Sequence, residues 1–501
     1  MNETEKPSGI RRIKLAWLIR LSKRTALVVL GALLALLGFR SYKAVTGDPL
    51  EPWHKYGPAE LAQRDLAKAD WQAYIDREDK LMEEVRQKVS LQMPREGGDL
   101  SNRYHPDSTL NPDRFERNWN RSYVMLPDGE PLGSVVLLHG LTDSPYSMRH
   151  VAAHYRDCGF AAVCIRLPGH GTVPAGLVRM DWKTWDQATK LAVREATRLA
   201  GEQKPLHLVG FSNGGALAMK YALDAVGDDS LARPSQIVLF SPMIGVTEMA
   251  RFAGIAGWPS VFPAFARTAW LSILPEFNPF KYNSFPVNGA RQSSLLTRSL
   301  QPRLASYARN GRAVEMPPVL TFQSMVDFTT STRAVIDSLY SNLPPNGSEL
   351  ILFDINRRIN YGPLMGARAD IVLNRFLPPP PRDYTVSVIT NSSPKTSEVL
   401  EARVPSGTTE ENRRELGLAF PQGVFSLSHV AVPFPLDDSL YGIEPRGEPE
   451  FGAHLGAVSL RGERGTLIVP LDSLVRMSCN PFHPYVIEKI DEVLRRDLAQ
   501  D

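Results

Sequence analysis

The chain has 501 residues, of which 43% are hydrophobic and 22% charged, and its formal net charge is only +3 at pH 7. This composition is ordinary for a folded globular protein, and the length suits one large domain with insertions or two domains. Lysine and arginine are spread along the chain beyond the N-terminus, which argues against nucleic-acid binding. The three cysteines, Cys158, Cys164 and Cys479, have neither a disulfide pattern nor metal-ligand spacing, so we expect buried free thiols, with one disulfide in an oxidising compartment as the alternative.

The N-terminal 40 residues have the pattern of a membrane-targeting segment. Residues 1–24 are basic, and residues 25–40 contain an uncharged apolar run that Arg40 closes. The run has the length of a signal-peptide core, is short for a bilayer span, and is followed by no small-residue cleavage site. We predict a single-pass signal anchor, with residues 1–24 cytoplasmic and the remaining chain on the periplasmic or extracellular side. A cleaved signal peptide or a soluble cytoplasmic protein are the alternatives.

Residues 41–120 predict an N-terminal extension that is partly helical and partly irregular. Apolar side chains recur at helical spacing over residues 59–90, with Glu78 interrupting the stripe. We predict an amphipathic helix, broken once, that packs on the main domain and turns its many charges to solvent.

The globular core begins near Arg121 and alternates strand and helix candidates. Its strand candidates are short apolar runs: 122–126, 134–138, 161–165, 206–209, 236–240, 319–322 and 350–353. Helical patterns lie at 147–155, 183–200, 214–226 and 330–340. Apolar strands alternating with helices predict an α/β fold with a mostly parallel sheet flanked by helices.

Two segments depart from this alternation. Residues 245–300 are aromatic, broken by proline and without strand period, and they predict an apolar cap over a pocket or, alternatively, extra core at the sheet edge. Residues 355–420 contain a proline run and a lone strand-like segment, 384–389, between polar loops. This second segment predicts an insertion.

The stretch from 205 to 220 contains the strongest chemical signal. A short apolar strand leads into Gly210-Phe-Ser212-Asn-Gly214, and good helix formers follow. Such a G-x-S-x-G turn holds its serine in a strained conformation, with the hydroxyl at the tip of the turn and at a helix N-terminus. Ser212 is therefore the predicted nucleophile; a buried serine in a glycine-rich turn is the alternative.

A serine nucleophile needs a base and an acid that orients the base. Asp327 follows the strand candidate 319–322 and is the predicted acid, although it could instead cap the next helix. Asp354 is the second candidate acid. His429 is the predicted base because a strand-like run there gives way to a proline-rich loop. The other downstream histidines, 454 and 483, lie in a loop and at the start of the terminal helix.

Acyl transfer also needs donors for the developing oxyanion. The backbone N–H of Asn213, directly after the serine, is one predicted donor. The N–H of Leu141, in the loop after the strand candidate 134–138, is the other, with His139 holding that loop. His150 and His154 stand four residues apart, but without a third ligand motif they predict packing or surface roles rather than a metal site.

These motifs together resemble the α/β-hydrolase superfamily, in the branch of monoacylglycerol lipases and lysophospholipases. HGLTDSPYSM (139–148), RLPGHG (166–171) and GFSNGG (210–215) occur in the family's order. The resemblance covers roughly 120–350 and resumes at 420–435. It implies an eight-stranded core sheet, a cap after the sixth strand, the triad Ser212, Asp327 and His429, and Leu141 and Asn213 as oxyanion donors. The 102 residues that separate Asp327 from His429 exceed the short link usual in the family.

The expected protein is a serine hydrolase of carboxylic esters whose hydrolase domain spans 121–501. An apolar cap and a membrane tether favour small-molecule or lipid esters with hydrophobic acyl groups, and neither cofactor nor metal is required. A non-catalytic, membrane-tethered scaffold that binds a partner is the alternative from another class. A peptidase or acyltransferase would use the same three side chains.

Overall fold

The computed structural model describes residues 49–94, 98–245, 263–359, 377–457 and 476–499, with scattered positions between 24 and 46. Eleven of the sixteen residues of the predicted anchor at 25–40 are described, whereas residues 246–262 of the predicted cap and 360–376 of the predicted insertion lie outside the described residues. Within the described residues, each helix is too short or too polar to span a bilayer.

Ten of the described strands form one sheet in the order β1-β3-β2-β4-β5-β8-β9-β10-β11-β12. Pairing is parallel from β3 across to β10, while β1 at one edge and β11 and β12 at the other pair antiparallel. The remaining two described strands, β6 and β7, form a separate antiparallel pair. The strands are β1 Tyr123–Met125, β2 Gly133–Leu138, β3 Phe160–Ile165, β4 Leu206–Phe211, β5 Gln236–Phe240, β6 Trp270–Ser272, β7 Phe285–Pro286, β8 Val319–Ser324, β9 Glu349–Phe353, β10 Thr385–Asn391, β11 Glu398–Val404 and β12 Asn412–Ala419.

Helices cover both faces of the sheet. Every residue of β2, β3, β4 and β5 is buried, as expected for apolar strands with a packed layer on each side. One core lies between the sheet and helices α5, α6 and α7, and the second lies against α4 and α9. The helices are α1 Pro52–Lys55, α2 Gln63–Lys68, α3 Trp71–Lys88, α4 Arg149–Asp157, α5 Trp182–Ala200, α6 Asn213–Gly227, α7 Val287–Arg309, α8 Thr332–Ala334 and α9 His483–Leu498. The predicted α/β class and mostly parallel sheet are confirmed.

Residues 377–420 of the predicted insertion contain three strands rather than the lone strand that the sequence predicts. The segment 384–389 became β10, which is parallel to β9, and β11 and β12 follow it in the same sheet. The sheet thus exceeds the eight strands that the resemblance implied. The two extra strands were missed because they form an exposed edge, where charged residues replace the continuous apolar pattern of a buried strand.

The predicted cap is divided between two structures. Residues 263–286 form a short 3₁₀ helix and the β6–β7 pair, while α7 begins at Val287 and packs mainly on α6. Leu296 and Leu300 of α7 are fully buried in the main core, so this part of the segment adds to the core, which was the stated alternative. The predicted helix at 330–340 is also irregular: α8 continues into a π-helical turn, Val335–Leu339.

The charges of the N-terminal extension do not all face solvent, contrary to the prediction. α3 packs on the main domain and places Glu78 in the interior, where Glu78 accepts from the Nε of Arg166 at 2.9 Å. Glu60 binds the other end of the same guanidinium through both of its oxygens, at 2.7 and 3.0 Å. Burial raises the pKa of Glu78, and attraction to Arg166 opposes that rise. An ion-pair cluster therefore ties the extension to the loop that carries RLPGHG.

Candidate active site

Ser212 lies at the tip of the sharp turn from β4 into α6. Its backbone is in the left-handed region, with φ 53° and ψ −112°. Two hydrogen bonds fix this conformation, since its N–H donates to the carbonyl of Phe240 and its carbonyl accepts from the N–H of Met243, each at 2.9 Å. A Cβ on Gly210 would lie 2.5 Å from the carbonyl oxygen of Gly214, so the turn has no space for a side chain there.

The structure brings Ser212, His429 and Asp327 into one chain of hydrogen bonds. Nε2 of His429 lies 3.0 Å from Oγ of Ser212, and Nδ1 lies 2.8 Å from Oδ2 of Asp327. A carboxylate can only accept, so Nδ1 carries the proton and Nε2 is left with a lone pair facing the serine hydroxyl. His429 opens a short 3₁₀ turn after β12, and its side chain is nearly buried.

The Asp327 carboxylate is enclosed and held by donors from its own loop. Oδ1 accepts from the backbone N–H groups of Thr329 and Thr330, and Oδ2 accepts from the Thr330 hydroxyl and the Gln323 amide in addition to His429. Burial would raise the pKa of Asp327, but His429 and these hydrogen bonds outweigh it, and the pKa is lowered. The carboxylate is therefore ionised at neutral pH and has a fixed orientation.

The other candidate acid and bases lie elsewhere. Asp354 accepts from Arg357 at 2.6 Å and from Thr390 at 2.8 Å, and it makes no contact with His429. His454 is bound to a backbone carbonyl of its own loop region, and His483 begins α9. The capping alternative for Asp327 holds only in part: it closes the loop before α8, but the cap of α8 is Ser331.

The two predicted oxyanion donors, Asn213 and Leu141, belong to segments that lie beside Ser212. The N–H of Asn213 belongs to the first residue of α6 and has no intrahelical partner, as at any helix N-terminus. The loop with Leu141 approaches from β2, so closely that a Cβ on Gly140 would lie 3.4 Å from the Cβ of Ser212. His139 holds this loop in place, because its Nε2 accepts from the N–H of Leu167 at 3.0 Å while Nδ1 lies 2.9 Å from the carbonyl of Gly140.

Two supporting residues were not identified from the sequence. Gln323, in β8, supports Asp327, and its polar side chain within an apolar buried strand was the available signal. Ser293, on α7, donates to the side-chain oxygen of Asn213 at 2.8 Å. No sequence signal indicated Ser293, because α7 itself was not predicted.

His150 and His154 do not share a ligand site. His150 binds Asp438 and His154 binds Asp491, so the two rings serve different contacts between α4 and later segments. Within the described residues, one group could hold a metal ion: His154, Cys158 and Asp491, whose ligand atoms lie within 4.8 Å of one another.

Comparison with known proteins finds a family model that matches part of the sheet region. Residues 129–340 match the family described as serine aminopeptidase, S33. A thermostable monoacylglycerol lipase from Bacillus sp. (strain H-257) is 32% identical over 110 residues, which are 21% of this chain and 42% of that protein, so the match spans less than half of the relative. Among solved structures, a monoglyceride lipase from Saccharomyces cerevisiae is 15% identical over 44% of this chain and 78% of that chain, with a TM-score of 0.34. A monoacylglycerol lipase from Paleococcus ferrophilus is 18% identical over 44% of this chain and 84% of that chain, with a TM-score of 0.33.

The family match and the observed topology agree. The matched residues begin before β2, include the strand-to-helix turn at Ser212 and end after β8, so they contain most of the parallel sheet and its flanking helices. The family match, together with a mostly parallel sheet flanked by helices and a serine at the tip of the turn after β4, shows that the chain has an α/β-hydrolase fold whose residues 129–340 are similar to the serine aminopeptidase, S33, family.

Proposed function

We propose that this protein is a serine hydrolase that cleaves carboxylic esters through Ser212, His429 and Asp327. The observation that carries the proposal is the uninterrupted chain of hydrogen bonds from the Ser212 hydroxyl through the imidazole to the enclosed Asp327 carboxylate, at 3.0 and 2.8 Å. This is the arrangement that makes a serine hydroxyl nucleophilic, because the base removes its proton as it attacks and the acid stabilises the imidazolium that forms.

The first half of the reaction forms an acyl-enzyme. Oγ of Ser212 attacks the ester carbonyl while Nε2 of His429 takes the proton, and the N–H groups of Asn213 and Leu141 donate to the oxyanion. The tetrahedral intermediate then collapses, and His429 returns the proton to the leaving alcohol. In the second half, water attacks the acyl-enzyme with His429 again as base, which releases the acid and restores Ser212.

Hydrophobic acyl esters are the proposed substrates. The similarity to a monoacylglycerol lipase and the apolar residues of the cap region support lipase, lysophospholipase or carboxylesterase activity. On the sequence pattern alone, we also propose the signal anchor at 25–40 and a hydrolase domain outside the cytoplasm, which would bring the site near membrane lipids.

Labelling with a fluorophosphonate probe tests the proposal directly. The full chain should be labelled stoichiometrically, Ser212→Ala should lose labelling, and Ser230→Ala, in an exposed loop, should keep it. A folded full chain that is not labelled would contradict the proposal and favour the binding scaffold. A panel of p-nitrophenyl esters of graded chain length and a matched p-nitroanilide then separates esterase from peptidase, and added alcohol acceptors reveal any acyl transfer.

A further inference from the structure

A cavity of about 250 Å³ lies beside the proposed catalytic residues. Its wall includes Val430, which follows His429, and Asp143, which is two residues from Leu141. The opposite wall comes from the loop 274–283, which is fastened to the loop of Leu141 by a 2.8 Å hydrogen bond from the N–H of Tyr282 to the carbonyl of Thr142. The volume is below the range usual for drug-sized ligands, so the cavity suits a head group rather than a long acyl chain.

The lining combines an apolar wall with three charged side chains. Leucine and aromatic residues make up the wall, and the charged groups are Asp143, Lys281 and Arg476. Two cations and one anion leave an excess of one positive charge in the cavity. We call this space the head-group cavity.

Polar atoms in the head-group cavity lack protein partners. Asp143 is 3% exposed, and its Oδ2 is buried without a hydrogen bond. Lys281 uses only its backbone N–H in a hydrogen bond, and within the described residues its ammonium makes no ion pair. Arg476 donates one N–H to the Thr329 hydroxyl at 2.9 Å and has no carboxylate partner within 4 Å among the described residues. Lys281 is half-buried and Arg476 is exposed, so the buried atom without a partner among these three groups is Oδ2 of Asp143. Buried polar groups are normally satisfied, so this atom indicates a ligand.

The electrostatics favour an anion between the two cations. Burial lowers the pKa of Lys281, and the positive charge of Arg476 lowers it further while Asp143 opposes both. Burial also lowers the pKa of Arg476, with attraction to Asp327 opposing it, and burial raises the pKa of Asp143. A bound anion near Lys281 and Arg476 would offset the repulsion between them.

We propose that the head-group cavity binds the leaving alcohol of the substrate when that alcohol is a glycerol that carries a phosphate. The phosphate contacts Lys281 and Arg476, and a free glycerol hydroxyl donates to Oδ2 of Asp143. This inference rests on the proposed ester hydrolase activity, and it names the substrate as a lysophospholipid-type ester rather than a neutral glyceride. Hydrolysis gives a fatty acid and a glycerophosphate, with the proton passing from Ser212 through His429 to the glycerol oxygen.

Calorimetry on the full-length Ser212→Ala chain tests binding independently of turnover. The chain should bind sn-glycerol 3-phosphate, with glycerol at the same concentration as the uncharged comparison. Lys281→Met in that background should weaken binding of the phosphate at least tenfold, the loss expected for one charge-assisted hydrogen bond, and Lys281→Arg should restore part of it. Lys395→Met, in an exposed loop, is the matched control. Failure to bind the phosphate, or equal binding by Lys281→Met, would overturn the inference.

Asp143→Asn is a second variant, and it should change phosphate affinity in the direction opposite to Lys281→Met. It removes the negative charge but keeps an acceptor, so phosphate binding should tighten; weaker binding in a folded variant would contradict the assigned contacts. For turnover, kcat/KM of the parent should be higher for a lysophosphatidylglycerol than for the monoacylglycerol with the same chain, and Lys281→Met should lower that ratio at least tenfold. If the chain is labelled by the fluorophosphonate but hydrolyses the anionic and neutral esters equally well, this inference is refuted and the proposed function stands. If the folded chain is not labelled, the proposed function itself is refuted.

Discussion

Replacing Asp327 by asparagine should inactivate the protein without unfolding it. Oδ1 of Asp327 accepts two backbone N–H groups at 2.7 and 2.9 Å, which cannot rotate away, so the asparagine oxygen must occupy that side. The amide nitrogen then takes the place of Oδ2 and points an N–H at Nδ1 of His429. The proton of the imidazole then moves from Nδ1 to Nε2, the nitrogen that faces the Ser212 hydroxyl. Because Nε2 now carries a proton, it can no longer accept one from the serine.

The expected loss follows from this change of tautomer. In triads of this type the same substitution lowers kcat by about 10⁴-fold, which corresponds to ~5 kcal/mol of activation free energy. Steady-state hydrolysis of a soluble p-nitrophenyl ester measures kcat, and thermal denaturation checks that the variant is folded. Asp337→Asn is the matched control, because Asp337 is half-exposed and pairs with Arg333 on the surface. A folded Asp327→Asn protein that loses less than tenfold in kcat would show that another group orients the base.

Three further substitutions test the loop beside the serine and the buried charges. Gly140→Ala places a methyl 3.3 Å from two ring atoms of Phe211 and 3.4 Å from the seryl Cβ, so the ring or the loop must give way slightly. The kcat for the p-nitrophenyl ester should therefore fall, whereas an unchanged kcat would mean that this loop supplies no donor. Glu78→Gln should lower the free energy of unfolding in urea by about 3 kcal/mol because it breaks a buried ion pair. Glu83→Gln, at an exposed pair, should lower it much less, and similar losses in the two variants would refute the buried role of Glu78. Burial would raise the pKa of Asp438, but the charge of Arg149 outweighs burial and holds the pKa of that carboxyl well below its usual 3.8. The ionised carboxylate therefore stabilises the fold above about pH 4, and this stabilisation is lost as the pH falls. The destabilisation by Asp438→Asn in urea should therefore shrink between pH 7 and pH 3; a constant difference would refute the ionised state.

The sheet and the site were predictable where local pattern and local chemistry agree. The apolar runs that became β2, β3, β4 and β5 are buried on both faces, so their composition alone identifies them. Ser212 was identifiable because its turn demands glycine on both sides, a requirement that appears directly in the sequence. Asp327 and His429 were harder, since only their positions after strand-like runs indicated them, and three-dimensional convergence cannot be read from one chain.

The misses have a common physical origin in tertiary context. β12 is the edge strand and β11 lies next to it, and both carry charged side chains, so they lack the continuous apolar pattern of buried strands. A carboxylate in the interior requires a paired cation, and for Glu78 that cation, Arg166, lies 88 residues away in the sequence. Because this pairing could not be recognised from the sequence, the charge of Glu78 was predicted to face solvent. The head-group cavity was not predicted because its residues come from distant segments of the chain. The loop with Asp143 was recognised from the sequence, but Lys281 lies in the segment 245–300, for which the sequence predicted only a cap.

Asp327 and His429 can be hydrogen-bonded although 102 residues separate them in sequence, because other contacts, rather than the segment between them, hold the two side chains in place. The loop that carries His429 is fastened to the end of β8 by a 2.7 Å hydrogen bond from the hydroxyl of Ser324 to the carbonyl of Leu427, close to the loop of Asp327. Lengthening a loop costs only about 0.6 kcal/mol of closure entropy for each doubling. Burial of one side chain such as Val399 of β11, which is fully buried, contributes about 1.5–3 kcal/mol and offsets that cost. An added hairpin can therefore extend the sheet edge while the hydrogen bond at Ser324 keeps the imidazole within reach of the serine.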